Sequence, residues 1–319
     1  MVFLNSIGSV LSIILLMALG YYLKAKKAVD TSFSKNISGL ITKIALPASI
    51  FVSVLKYLSR DTLLELSGSL VYPVIASAIG YAIAYLLVNL LKVRPGRRGT
   101  FINGIVNANT VFIGLPLNIA LFGEKSLPYF LVYYIVNTVS TWAIGVFIWA
   151  NDDPTKVKGA ASEAKFNWKK LLPPPLIGFI IALVFLIVGI PVPTFLNNTL
   201  GYIGGLVTPL SLIYIGIVLY DAGLKNMRFD RDTLVALAGR FLLYPAIMIL
   251  LLTVGITTFH ASIPTLLKQT LIVQSAAPML AVSPILTAES NGDVEYATNL
   301  VVTSTVLFIV IVPILMLFI

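Results

Sequence analysis

The chain has 319 residues, of which 58% are hydrophobic and 11% are charged, and its mean hydropathy is +0.96. Soluble domains carry about 25% charged residues, so this composition excludes an ordinary soluble protein and predicts an all-α integral membrane protein. The chain has no cysteine and a single histidine, which excludes disulfides, thiolate catalysis and histidine-based metal clusters. The net charge of +9 is interpreted as the cationic surplus of cytoplasmic loops, so no nucleic-acid partner is expected.

Ten apolar runs follow one another along the chain. They are continuous rather than alternating, which predicts transmembrane helices and not barrel strands. The first run is followed, not preceded, by positive charge, so it is interpreted as a helix and not as a signal peptide. The predicted spans are Ile7–Leu23, Ile37–Leu55, Ser69–Leu91, Phe101–Phe122, Leu127–Ala150, Leu176–Ile190, Leu200–Tyr220, Leu234–Ile256, Leu266–Ala288 and Ala297–Ile319.

Lys and Arg residues predict the orientation of these spans. Of the 22 in the chain, 16 lie in the loops after spans one, three, five and seven, 4 lie in even-numbered loops or at their edge, and Lys43 and Arg240 lie deeper inside spans. Cytoplasmic loops are enriched in Lys and Arg, so the odd-numbered loops are predicted to be cytoplasmic and both termini extracellular. The expected location is a plasma membrane, crossed many times.

An internal repeat divides the chain into residues 1–150 and 173–319, with a cytoplasmic loop at 151–172. Each half holds five predicted helices, and because five is odd, the second copy must enter the membrane from the opposite side. The sequence therefore predicts two inverted five-helix repeats. The matching pairs are Leu70–Pro73 with Leu242–Pro245, Pro47 with Pro209, and Asn107–Pro116 with Gln274–Pro284.

Spans four and nine contain polar residues and prolines that predict a break in each helix. Proline removes a backbone donor and Asn competes for backbone partners, and unwound backbone in a membrane must face protein or a watery cavity. A half-helix that begins at such a break offers free N–H groups to a carboxylate. Asn109 is expected to cap one half-helix and to donate its amide to an anion. Pro278 is expected to be the first residue of the other half-helix.

Charged residues inside spans are functional candidates by default. Arg240 lies seven or eight residues inside a helix end, where it either reaches the interface, pairs structurally or attracts an anion. No Asp or Glu lies deep in a span, and those at helix ends, such as Asp293, are interpreted as solvated. No nucleophile–base pair is present, so an enzyme is not expected. The candidate substrate-binding residues are Asn109, Gln274, Asn107, Asn103, Ser275, Pro278, Thr110 and Arg240.

Four motifs resemble the auxin efflux carrier family, and the resemblance covers nearly all ten predicted helices. Asn109–Leu117 is the most specific match, in helix four. Ala238–Phe241 is similar to the family's helix eight, Gln274–Pro278 to its helix nine and Ala45–Pro47 to its helix two. The resemblance implies a fold like that of bile-acid symporters and sodium–proton antiporters, with helices four and nine broken and crossing.

The resemblance also implies an activity: secondary transport of a small organic anion, either indole-3-acetate or a dicarboxylate such as malate or malonate. It implies a scaffold of helices one, two, six and seven, a transport domain of the other six that moves like an elevator, and a homodimer. The family's substrate asparagine in helix four corresponds to Asn109. The substrate is expected to lie between that residue and apolar walls of helices one, two and seven.

Two positions depart from the plant pattern. Ala108 stands where plant members have proline, and Pro174 and Leu176 replace two asparagines at the start of helix six, which disfavours auxin itself. No cofactor or metal is expected, and sodium or proton coupling stays open. The alternatives are a sodium-coupled symporter of the bile-acid type and a membrane receptor or scaffold without transport.

Overall fold

The structure is a computed structural model that describes residues 2–155, 172–223 and 227–317. Within these ranges the chain is helical and contains no β-strand. Most of the predicted loop at 151–172 lies outside the described residues. The prediction of an all-α fold is therefore confirmed for the described residues.

Six described helices are long and apolar enough to cross a membrane, and three shorter ones are apolar as well. Each predicted apolar run coincides with helical structure, because an apolar sequence of this length can satisfy its backbone only internally in lipid. The six long helices are Ser32–Tyr57, Leu66–Leu90, Glu124–Asn151, Thr194–Asp221, Arg231–Thr257 and Val294–Leu315, and the shorter ones are Leu11–Ala25, Thr110–Phe122 and Pro174–Val188.

Two helices are interrupted. The first interrupted helix consists of Arg98–Val106 and Thr110–Phe122, separated by residues 107–109. The second interrupted helix consists of Thr265–Ser275 and Ser283–Glu289, separated by residues 276–282. The two interruptions lie against each other, since Ala108 and Met279 form an antiparallel bridge.

Glycines allow close contact among the helices of predicted spans one, two, six and seven. Helix Val2–Ala25 packs along Val207–Ala222, where a Cβ at Gly20 would overlap the carbonyl of Ile213 and a Cβ at Gly216 would overlap that of Met17. Small residues at such positions let two backbones approach in a membrane, where van der Waals packing drives association.

The second predicted span makes similar close contacts with spans six and seven. Helix Leu46–Tyr57 packs on Pro174–Val188 and Thr194–Gly205. A Cβ at Gly178 would lie 2.9 Å from the Cα of Pro47, and one at Gly204 would lie 2.7 Å from the Cα of Ser49. The packing therefore joins predicted spans one and seven, and spans two, six and seven, by contacts close to the backbone.

Four π-helical turns occur in the described part of the chain. A π turn widens the helix by one residue and commonly occurs at functional sites. In this protein, residues of all four turns either line the cavity described below or bond to an interruption. The turns are Ile41–Ala45, Thr110–Gly114, Ser140–Gly145 and Gly239–Leu243.

Candidate functional site

Asn109 lies at the end of the first interruption and caps the helix that follows, as the sequence predicts. Its side-chain oxygen accepts a hydrogen bond from the N–H of Phe112 at 3.3 Å, and its own N–H donates to the carbonyl of Pro278 at 2.8 Å. The side chain is 2% exposed, and its Nδ2 has no hydrogen-bond partner among the described residues. A buried amide donor without a partner is costly, so this group is suited to donate a hydrogen bond to a ligand oxygen.

Asn137 holds the interruption in place. Its Oδ1 accepts from the N–H of Ala108 at 2.8 Å, and its Nδ2 donates to the carbonyl of Ala108 at 3.1 Å. The side chain of one residue therefore satisfies the N–H of Ala108 and shares the Ala108 carbonyl with the N–H of Thr110, which donates to it at 3.0 Å. The sequence interpretation did not include Asn137, although an Asn inside predicted span five meets the same criterion as Asn109.

A cavity of about 170 Å³ lies beside Asn109. One side is formed by the two interruptions and the helix that carries Asn137, and the other by the second predicted span and the start of the sixth. The predicted walls from spans one and seven do not contribute to it. The lining consists of Thr42, Asn109, Thr110, Val111, Phe112, Tyr134, Asn137, Thr138, Thr141, Trp142, Pro173, Pro174, Pro175, Leu280, Ala281 and Val282.

Asn103 and Asn107 belong to a buried network that stops short of this cavity. Asn107 Nδ2 donates to Asn103 Oδ1 at 2.7 Å and to the Tyr81 hydroxyl at 3.0 Å, and its Oδ1 accepts from Ser140 Oγ at 2.8 Å. Asn103 Nδ2 donates to the carbonyls of Gly99 at 2.8 Å and Gly145 at 3.3 Å. Because both amides have protein partners, their observed role is to join helices around the first interruption.

Gln274 and Ser275 are fully buried and lie at the end of helix Thr265–Ser275. Gln274 Nε2 donates to the carbonyl of Gly114 at 2.8 Å, which ties the two interrupted helices together, and its Oε1 has no partner among the described residues. Ser275 Oγ donates to the carbonyl of Ile272 at 2.7 Å. Neither residue lines the cavity.

The predicted role of Pro278 as the first residue of a half-helix is wrong. Pro278 lies in the middle of the interruption, and the next helix begins at Ser283, with Pro284 as its second residue. The carbonyl of Pro278 accepts a hydrogen bond from the N–H of Asn109. This bond holds the segment beside the first interruption.

Arg240 is 1% exposed and does not line the cavity. Its Nε donates to the carbonyl of Ala277 at 2.6 Å and its Nη1 to the carbonyl of Ile105 at 2.9 Å. The guanidinium also lies over the ring of Tyr244, with 5.3 Å between its carbon and the ring centroid. Of the predicted residues, then, only Asn109 and Thr110 reach the cavity, while the others surround the interruptions.

The chain matches a family model described as membrane transport protein over residues 5–316. The chain belongs to this membrane transport protein family. The predicted resemblance to auxin efflux carriers is thereby confirmed at the level of the family.

Two relatives agree with the assignment to the membrane transport protein family. An uncharacterized transporter of Methanothermobacter thermautotrophicus is 25% identical over 320 residues, which cover 98% of each chain. An uncharacterized transporter of Methanocaldococcus jannaschii is 25% identical over 308 residues, which cover 95% of each chain. The protein is accordingly a multi-pass membrane transporter for a small molecule, and members of its family are transporters rather than enzymes.

Proposed function

We propose that this protein is a secondary transporter of small organic anions and that it binds the carboxylate in the cavity beside Asn109. The observation that carries the proposal is that Asn109 lines the cavity and that its buried Nδ2 has no partner among the described residues. An amide donor is suited to a carboxylate oxygen, and a charge-assisted hydrogen bond is stronger than a neutral one.

The helix after Asn109 supports the choice of an anion. Helix Thr110–Phe122 begins at the cavity, and both Thr110 and Val111 line it. The N–H groups of Thr110 and Phe112 already have partners, but the N-terminus of a helix carries about half a positive charge, which favours an anion there. The rest of the lining is largely aromatic or apolar, including Phe112, Tyr134 and Trp142, and suits the organic part of the substrate.

The position of the cavity supports an alternating-access mechanism of the elevator type. Asn109 and Asn137 face it from one group of helices, and Thr42 and Pro173–Pro175 face it from the other. Movement of the helices that hold Asn109 and Asn137 against those that hold Thr42 and Pro173–Pro175 would carry the bound anion across the membrane. We propose further that the ten helices form two inverted repeats in which the interrupted helices cross. We also propose that the protein is a homodimer in the plasma membrane and that its odd-numbered loops are cytoplasmic.

The experiment is counterflow in proteoliposomes with labelled malate and labelled indole-3-acetate, each with and without sodium. Counterflow needs no imposed gradient, so it tests transport separately from coupling. We expect saturable exchange of one of the anions. We expect Asn109→Ala to weaken its binding by about 1–3 kcal/mol, or about 5- to 150-fold in affinity, because the amide donor is lost.

The matched control is Asn89→Ala. Asn89 is exposed and its Nδ2 donates only to the carbonyl of Tyr85, at 2.9 Å, so its variant should exchange like the unmodified protein. Equal affinity in Asn109→Ala would reject the proposed site. Strict sodium dependence would favour a symporter of the bile-acid type, and absence of exchange across a wider panel of anions would favour a receptor without transport.

A further inference from the structure

Arg240 carries a buried positive charge without a carboxylate partner. It forms no ion pair with any Asp or Glu among the described residues, and its two hydrogen bonds go to the backbone carbonyls of Ile105 and Ala277. A buried charge that lacks compensation is strongly destabilising, so something else in the structure must balance this guanidinium.

The two carbonyls identify what balances it. Ile105 is in the last turn of helix Arg98–Val106, and Ala277 lies two residues beyond the end of helix Thr265–Ser275. The C-terminus of a helix carries about half a negative charge, and two such ends together carry about one. The single charge of Arg240 therefore matches the combined charge of the two helix ends that meet at the interruptions.

The same contacts connect Arg240 to Asn109. Ala277, which accepts from Arg240, is followed by Pro278, whose carbonyl accepts from the N–H of Asn109 at 2.8 Å. Two hydrogen bonds and one peptide unit thus separate the guanidinium from the backbone of the proposed carboxylate-binding residue. The separation is on the order of 10 Å or less, given ordinary hydrogen-bond and backbone dimensions.

We propose that Arg240 is a positioning residue that neutralises the two negative helix ends and fixes the second interruption beside Asn109. The start of helix Thr110–Phe122 then presents its positive end to the cavity without an opposing field. Arg240 does not touch the substrate. The functional role of Arg240 rests on the proposed anion transport, but its effect on the electrostatic potential at the cavity can be tested without any substrate.

The test uses Val111→Cys as a reporter in a chain that otherwise has no cysteine. Val111 is half-buried, lines the cavity and lies at the start of the helix. The pH dependence of iodoacetamide alkylation gives the fraction of reactive thiolate, which a positive surrounding increases. Val111 lies two residues beyond Asn109, so the charge of Arg240 is about 10–15 Å away. Removal of a unit charge at this distance, at an effective dielectric constant of about 20, should lower that fraction about ten-fold.

Three variants are compared in the Val111→Cys background. Arg240→Gln removes the charge and keeps one donor for a carbonyl, and it should lower the thiolate fraction about ten-fold. Arg240→Lys keeps the charge, so its thiolate fraction should stay within about two-fold of that of the Val111→Cys protein. Ser77→Ala removes the 3.1 Å contact between the hydroxyls of Ser77 and Tyr244, and so perturbs the neighbourhood of Arg240 without changing charge. It should leave the thiolate fraction unchanged.

An unchanged thiolate fraction in a folded Arg240→Gln variant would overturn the proposal, as would a ten-fold fall in Arg240→Lys. If Arg240→Gln does not fold, two other measurements of thiolate formation decide whether the proposal holds. The reporter in the otherwise unmodified chain must form thiolate more readily than an ordinary cysteine, and Arg240→Lys must preserve that. The substrate-free readout separates the two proposals: a responsive reporter without anion exchange rejects transport alone, and exchange with an unresponsive reporter rejects only the role of Arg240.

Discussion

Side-chain amides, rather than a proline, hold the first interruption out of the helix. The residue before Asn109 is Ala108, an excellent helix former, yet its backbone is extended because Asn137 occupies both its N–H and its carbonyl. Asn109 completes the arrangement by capping the next helix and by bonding to Pro278. The backbone at the proposed binding site is therefore determined by residues distant in sequence.

Asn137→Ala should destabilise the protein. The change leaves the buried N–H of Ala108 without a partner and leaves its carbonyl with the N–H of Thr110 alone, and an unsatisfied buried group costs about 1–3 kcal/mol. Thermal unfolding in detergent should show a clear fall in midpoint. Thr253→Val is the control, since Thr253 is exposed and its hydroxyl bonds only to the carbonyl of Ile249 within its own helix. Equal midpoints for the two variants would contradict the role assigned to Asn137.

At the scale of whole helices, glycine decides how closely Val2–Ala25 approaches Val207–Ala222. Gly20→Ala or Gly216→Ala would place a methyl group on a backbone carbonyl that cannot move aside like a flexible side chain. Overpacking of this kind costs about 1–3 kcal/mol, so both variants should unfold at lower temperature than the unmodified protein.

Gly39→Ala provides a control of opposite sign for the glycine variants. A Cβ at Gly39 would meet nothing within 4 Å, and the residue lies inside helix Thr31–Leu40. Alanine exceeds glycine in helix propensity by about 1 kcal/mol, so this variant should be as stable as the unmodified protein or more so. Destabilisation in Gly39→Ala as large as in Gly20→Ala would show that the loss does not come from the helix contact.

The helices could be predicted from the sequence because hydropathy and length are local properties, and the breaks could be predicted because Asn and Pro disfavour a continuous helix. The cap at Asn109 followed from the same local rule. The carbonyl partners of Arg240, the bond between Gln274 and Gly114 and the pairing of Asn137 with Ala108 are contacts between distant residues, which no periodicity encodes. Pro278 was misplaced for this reason.

At the scale of the whole molecule, one charged cluster joins the loops after predicted spans three, five, seven and nine. Arg97 pairs with Asp230 at 2.6 Å and with Asp293 at 2.7 Å, and Arg94 also pairs with Asp293. Asp230 and Asp293 each cap the helix that follows them, and Asp152 accepts from the N–H groups of Gly96 and Gly99. The sequence interpretation of Asp293 as a solvated residue missed these contacts.

The carboxyl groups of this charged cluster have shifted pKa values, two lowered and one raised. Burial raises the pKa of Asp293, but hydrogen bonds from the N–H of Tyr296, from Arg97 and from Arg94 outweigh it and leave the pKa below the ordinary value of 3.8. The pKa of Asp230 is lowered in the same way, by the N–H of Thr233 and by Arg97. Burial is the main cause for Asp152 and raises its pKa, despite the hydrogen bonds from Gly99 and Gly96.

These shifts predict how acid affects stability. A carboxyl with a lowered folded-state pKa stabilises the protein above its unfolded pKa, and this contribution is lost as the pH falls through the folded value. The contribution of Asp152 has the opposite sign. Its pKa is raised in the folded state, so protonation at low pH favours folding. Asp293→Asn should therefore be less stable near neutral pH and lose less stability between about pH 5 and pH 3 than the unmodified protein, whereas Asp152→Asn should lose more. Thermal midpoints measured across this range test both signs, and parallel curves for all three proteins would show that the cluster does not couple acid to folding.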